Sequence, residues 1–261
     1  AAPGGAYPPA GGWPVAPAGP GAASTAPFTL GEALSYAWAK FSQNAGLFLL
    51  LMLIAGGVTV VIEVLGGGVA AGLMLGSVNS GTGQISGGGF AAGGIAYLVV
   101  SLLGALVGLF LGMGLLRAAL DVSKGRPVSV SSAYRTEQLG QFVLLQLLIV
   151  VVGAIVGGIL GMIPVLGVVL SVLLGLALGA VGLYAGLFVL DRGLSTTDAL
   201  KAGYELARAN LSTTLVVVIA IGVLAFVGVL VFFVGSLVTV PMATLLAAFA
   251  YRKLTGDEVA A

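Results

Sequence analysis

Between Phe142 and Leu190 the chain runs for 49 residues without one Asp, Glu, Lys or Arg. Crossing the hydrocarbon core of a bilayer takes about 20 apolar residues of helix. The run is therefore too long for one span and right for two. Gly161-Met162-Ile163-Pro164 stands near its middle, and proline both removes a helix donor and clashes with the preceding turn. The pattern predicts a helical hairpin: one span to about Gly161, a tight turn, and a second span to Leu190.

Composition extends this reading to the whole chain. Of 261 residues, 59% are hydrophobic and 7% are charged, against about 25% charged in an ordinary soluble domain. The expected fold is all-α: a polytopic membrane protein with six transmembrane helices in three hairpins, each preceded by an amphipathic interfacial helix. Cysteine and histidine are both absent. That excludes disulfides, thiolate catalysis and the usual zinc and haem ligation, and no cofactor or metal is expected. A net charge of +1 leaves no footprint for nucleic acid. The partners to expect are membrane lipids, together with a protein partner or a second copy of the chain.

Residues 1–28 read as a Pro/Gly-rich tail holding seven of the ten prolines. Two readings stand: a linker, or a docking segment with Tyr7 and Trp13 as aromatic anchors. From 29 to 256 the chain reads as the membrane domain, and 257–261 as a short C-terminal tail. Thr29-Leu30-Gly31-Glu32 is a capping-box start. Leu30, Ala33, Leu34, Ala37, Trp38, Phe41 and Ala45 follow at helical spacing on one face. The first span is expected over Gly46–Leu65, a Gly/Ser/Asn loop over 66–92, and the second span over Gly93–Leu116. A charged aqueous segment, 117–140, precedes the central hairpin, and a second amphipathic segment, 191–212, follows it. Thr213–Ala250 is a 38-residue apolar run, again two spans, turning near Gly235-Ser236.

Six spans place all ten basic residues on one side, with both termini: Lys40, Arg117, Lys124, Arg126, Arg135, Arg192, Lys201, Arg208, Arg252 and Lys253. Positive charge is retained on the cytoplasmic side. The expectation is a multi-pass protein of the bacterial cytoplasmic (inner) membrane with both termini in the cytoplasm.

The chain also resembles itself. Thr29 aligns with Ser195, Glu32 with Asp198, Ala33-Leu34 with Ala199-Leu200, Trp38 with Tyr204, and Asn44 with Asn210. Ser129–Tyr134 is a shortened third copy. Three repeats follow, over about 29–120, 128–190 and 195–256. The stretch from Leu194-Ser195 to Asn210, the hairpin after it, Pro241 and Tyr251-Arg252-Lys253-Leu254-Thr255-Gly256 resemble a broad class of bacterial six-span membrane proteins. That class includes the membrane domain found beside some glycerophosphodiester phosphodiesterases, and the Pro/Gly-rich front is similar to its uncharacterised actinobacterial members. The resemblance implies the six-span fold but no catalytic residues, and the 261 residues are expected to hold no phosphodiesterase domain.

Ionisable residues inside spans are candidates for function, and Glu63 is the one such residue here. It reads either as a partner-binding group or as a solvated end of the first span. Glycines recur every fourth residue at Gly104, Gly108 and Gly112, at Gly153, Gly157 and Gly161, and at Gly175 and Gly179. Small residues at this spacing form a groove that admits another backbone, in the same bundle or in another subunit. No nucleophile stands with a base and no carboxylates pair within the spans, so an enzyme is not expected. The leading reading is a non-catalytic accessory or scaffold subunit of a larger membrane complex. The alternative is a transporter or lipid-handling protein built from parallel two-span repeats.

Overall fold

The computed structural model describes residues 28–84, 86–231 and 234–260. Tyr7 and Trp13 lie outside the described residues. Among these residues the chain forms α1 (Leu30–Gln43), α2 (Ala45–Leu75), α3 (Gly87–Ser123), α4 (Val130–Ala133), α5 (Leu139–Leu160), α6 (Leu166–Arg192), α7 (Thr196–Ala209), α8 (Leu211–Leu230) and α9 (Ser236–Thr255). Six of them, α2, α3, α5, α6, α8 and α9, are long and apolar enough to cross a membrane. They pair in sequence as three antiparallel hairpins, and the protein is a multi-pass membrane protein.

The short helices start as their caps dictate. Thr29 Oγ1 accepts from the Glu32 amide at 3.3 Å, and Ser195 Oγ accepts from the Asp198 amide at 3.3 Å. Each cap satisfies a helix donor that would otherwise be orphaned. Helix α1 then buries Ala33, Ala37 and Phe41, and α7 buries Ala199, Ala202 and Ala207. Trp38 and Tyr204, aligned in the repeat, are each 56% exposed. The middle copy is a single turn: α4 ends at Tyr134, whose ring leaves the helix to stack on Phe110 at 5.4 Å between centroids.

The repeats close into a ring. Helix α4 lies on α3, α7 on α6, and α1 on α9. Helices α4 and α7 each pack on the second helix of the hairpin before them, and α1, the first described helix, packs on the second helix of the last hairpin. The contact of α7 with α6 is close: a Cβ added at Gly203 would stand 2.8 Å from the Ala185 nitrogen and the Val181 oxygen. All three second helices run out into left-handed glycines, Gly125 (φ 68°), Gly193 (φ 64°) and Gly256 (φ 73°), a conformation that an L side chain resists.

The core sits at the end of the bundle that carries these caps and the charges. It is built from Phe48 and Leu51 of α2, Met113 to Val122 of α3, Phe142 and Leu145 of α5, Tyr184 to Val189 of α6, Val217 of α8 and Leu245 to Tyr251 of α9. Toward the hairpin tips Val60, Leu65, Leu102, Ile155, Val172 and Phe226 are exposed.

The first hairpin departs from the sequence reading. Helix α2 does not stop at Leu65 but runs to Leu75, and α3 begins at Gly87 instead of Gly93. The loop shrinks to 76–86, where the Asn79 side chain accepts from the Gly81 and Thr82 amides. Glycine costs about 1 kcal/mol in a helix exposed to water, which is why Gly66-Gly67-Gly68 reads as a break. Here Gly66 instead receives the Val100 side chain of α3, and packing outweighs propensity. At 31 residues, α2 is about 46 Å long.

Candidate functional site

The strongest concentration of chemistry lies where α3 leaves the apolar layer. Arg117 follows the apolar stretch of α3, and the helix carries it inward, so that it is 4% exposed. Its Nη2 donates to the Glu137 carbonyl oxygen and, at 3.1 Å, to Gln138 Oε1. Its Nε is buried with no hydrogen-bond partner among the described residues. Gln138 reaches Arg117 from a left-handed backbone (φ 60°, ψ 7°), a conformation uncommon for a non-glycine residue and typical of constrained sites.

Arg117 lines a cavity of about 180 Å³ together with Leu120, Asp121, Lys124, Arg126, Arg135, Glu137, Gln138, Leu190 and Asp191. Two of its three carboxylates are engaged by cations of the same lining. Asp121 accepts from Arg135 at 3.2 Å and faces Arg126 at 3.9 Å. Asp191 pairs with Lys124 and accepts from the Tyr251 hydroxyl at 3.1 Å. Neighbouring pairs tie the charged end together: Arg192 with Asp257 at 3.2 Å, and Lys253 with Glu32 at 2.5 Å. The Ala260 amide donates to the Ser123 carbonyl at 2.9 Å.

Two phenols rim this layer. Burial pushes Tyr134 above the usual tyrosine range, and its ring fits over Gly114, where a Cβ would collide with it. Burial pushes Tyr36 from 10.0 up to about 12, with Arg252 pulling it back. Both are neutral hydroxyls at physiological pH. Among the described residues no group of three or more Asp or Glu could hold a metal ion. The arrangement suits holding an anion: hydrogen-bond donors converge on a cavity without a nucleophile beside a base.

The structure spreads the residues singled out from sequence. Glu63 lies mid-helix in α2, exposed, and Gly104 of α3 sits beside it, so that a Cβ there would stand 2.9 Å from Glu63 Oε1. Glu63 thus stands inside helix α2 and not at its end. Gly153 lies against Leu178 of α6, while Gly161 meets carbonyls of its own helix end. Gly108, Gly112, Gly157, Gly175 and Gly179 face open space, so among the described residues no neighbour occupies those grooves. The glycines that do meet neighbours closely include Gly66, Gly93, Gly182 and Gly203. In the sequence, Arg117 falls at the start of the charged segment 117–140 and carries no direct mark of burial. The available signal was the absence of Gly or Pro between Leu116 and Ser123, with Arg117 and Asp121 one helical turn apart.

No family model matches the chain, so the likeness to the phosphodiesterase membrane domain rests on the sequence residues alone. No solved structure matches it either. Uncharacterized protein Rv2560 of Mycobacterium tuberculosis (strain ATCC 25618 / H37Rv) is 32% identical over 252 residues, covering 89% of this chain and 70% of the relative. Uncharacterized protein Mb2590 of Mycobacterium bovis matches to the same extent. The chain therefore belongs to the family of these mycobacterial proteins.

Proposed function

We propose that this protein is a non-catalytic subunit of the bacterial cytoplasmic membrane, an accessory or scaffold component of a larger complex, with both termini in the cytoplasm. The observation that carries the reading is Glu63. It stands 18 residues into α2 and is exposed, about 27 Å along the helix from Ala45. Among the described residues no cation pairs with it. A carboxylate in the hydrocarbon layer costs up to roughly 2.5–3.5 kcal/mol on insertion scales, and such groups ordinarily face a partner. A second protein's helix bearing a basic or amide side chain, laid along the α2–α3 face beside Gly104, would remove that cost. The tail residues Tyr7 and Trp13 would add a second contact on the cytoplasmic side.

Purification in mild detergent tests the reading. The expected result is a complex larger than the single chain, disrupted by Glu63→Leu while the helix content stays unchanged. A lone chain with no co-purifying protein overturns it. For orientation, a cysteine at Ser80 in the α2–α3 loop should react with an impermeant thiol reagent on intact cells, and one at exposed Ser131 should not. Equal reaction refutes the orientation.

The second reading is transport or lipid handling. One observation favours it: the polar cavity around Arg117. The cavity lies at the charged end rather than at mid-membrane depth, which suits contact with headgroups more than a path across the bilayer.

A further inference from the structure

Four cations, Arg117, Lys124, Arg126 and Arg135, line the cavity against three carboxylates, Asp121, Glu137 and Asp191. The lining therefore carries one positive charge in excess. Lys124 is matched by Asp191, the two exposed arginines share Asp121, and no ion pair joins the Glu137 carboxylate to Arg117 among the described residues. The buried Arg117 donates only to a carbonyl oxygen and an amide oxygen, and its Nε has no hydrogen-bond partner among the described residues. A buried cation held by neutral acceptors bears most of its desolvation cost uncompensated.

The repeat shows that this charge is not imposed by the fold. The three second helices can be aligned on the left-handed glycines that follow them, Gly125, Gly193 and Gly256. Eight residues before each stand Arg117, Ala185 and Ala248. Ala185 and Ala248 are fully buried, so alanine fills the equivalent place in the two other repeats without a charge to satisfy. The first repeat instead carries an arginine there, beside a cavity far larger than the roughly 10–15 Å³ that one water needs. Arginine's fork of donors matches phosphate oxygens, and basic pockets between spans at the bilayer surface suit phosphorylated headgroups.

We propose that this cavity is a binding site for an anionic phosphate group, with Arg117 as its main ligand and Arg126 and Arg135 at its mouth. The phosphate is either the headgroup of an anionic phospholipid or free inorganic phosphate. The site is separate from the Glu63 face and does not depend on the accessory-subunit reading.

The full chain in mild detergent would be followed by thermal unfolding and by native mass spectrometry. The probes are phosphatidylglycerol, diacylglycerol with the same acyl chains but no phosphate, and inorganic phosphate. Phosphatidylglycerol is expected to raise the unfolding midpoint and to remain bound, with diacylglycerol doing neither. Arg117→Gln should weaken retention about tenfold or more. Arg208→Gln, a change on α7 outside the cavity, should leave it unaltered. Stabilisation by inorganic phosphate with no lipid retained assigns the site to the free ion. Equal retention of diacylglycerol, binding by Arg117→Gln equal to wild type, or no response to either phosphate probe overturns the proposal. If Arg117→Gln fails to fold, Arg126→Gln replaces it. The Arg126 side chain is 62% exposed, so its replacement should leave the fold intact and weaken retention about threefold. An unchanged affinity there overturns the proposal equally.

Discussion

The two ends of this bundle are built by different rules. At the charged end, Leu245, Leu246, Leu187 and Val189 are fully buried, three short helices cover the spans, and ion pairs link elements distant in sequence. Toward the tips, Leu65, Leu98, Ile155 and Val168 lie more than half exposed, and each helix packs mainly on its hairpin partner. In a multi-pass membrane protein water bathes the charged end, and lipid the apolar stretches between that end and the tip loops. Where water is the solvent, apolar side chains gain by leaving it. Lipid tails are as apolar as leucine, so the tips gain little from burying the same residues and depend on close packing of small ones. The charged end therefore holds the fold together, and the tips are left available to lipid or to another helix.

That contrast should be largest for matched truncations. Leu245→Ala, in the charged-end core, should cost about 2–5 kcal/mol. Leu65→Ala, on an exposed stretch of α2, should stay within about 0.5 kcal/mol. Thermal unfolding of the two variants in one detergent measures the difference directly. Equal losses would mean that the tips hold a core of their own and that the comparison is wrong.

Much of this architecture was readable in the residues. The uncharged run of 142–190, broken at Pro164, becomes α5 and α6 as expected. The pairing of Thr29 with Ser195 becomes two equivalent caps, because capping is a local contest decided within four residues. What depended on a neighbour was not readable. Gly66-Gly67-Gly68 continues a helix because Val100 lies against it, and nothing near Gly66 in sequence announces Val100. Arg117 reads as the start of an aqueous segment because its burial is created by Glu137, by Gln138 and by the end of α6, all distant in sequence. The glycine spacing identified narrow helix faces, but spacing cannot say whether anything lies on them; at Gly108, Gly157 and Gly175 nothing among the described residues does.

A smaller effect probes the charges that mark the contrast. Asp121 is 6% exposed and serves both Arg126 and Arg135. Asp121→Asn would leave the cavity with four cations and two carboxylates. The arginines are themselves exposed, which limits the loss to about 1–2 kcal/mol. Added salt should narrow the gap between variant and wild type, since exposed charges are screened within about 10 Å at 0.1 M. Retention of phosphatidylglycerol should rise in this variant, because the competing carboxylate is gone. A salt-independent loss would show that Asp121 acts through shape and not through charge.

The smallest effect concerns Tyr36, at the seam where α1 covers α9. Its ring lies 4.8 Å from Phe249, Lys40 Nζ stands 5.8 Å from its centroid, and its hydroxyl is buried with no hydrogen-bond partner among the described residues. Burial raises the phenol from 10.0 to about 12, the Arg252 charge opposing. When α1 is unfolded the phenol ionises near pH 10, whereas in the fold it keeps its proton to about pH 12. Above pH 10 the unfolded state thus binds fewer protons than the native state, and stability falls as pH rises. Below pH 10 both states hold the proton and the contribution is constant. Tyr36→Phe removes the titrating group and the orphaned hydroxyl together. The difference between variant and wild-type unfolding midpoints should be flat up to pH 10 and then open in favour of phenylalanine up to pH 12. Because both proteins share every other tyrosine and lysine, the remaining alkaline losses cancel in that difference. Parallel curves over the whole range would place the Tyr36 hydroxyl in water and move the boundary between the two ends outward, past α1.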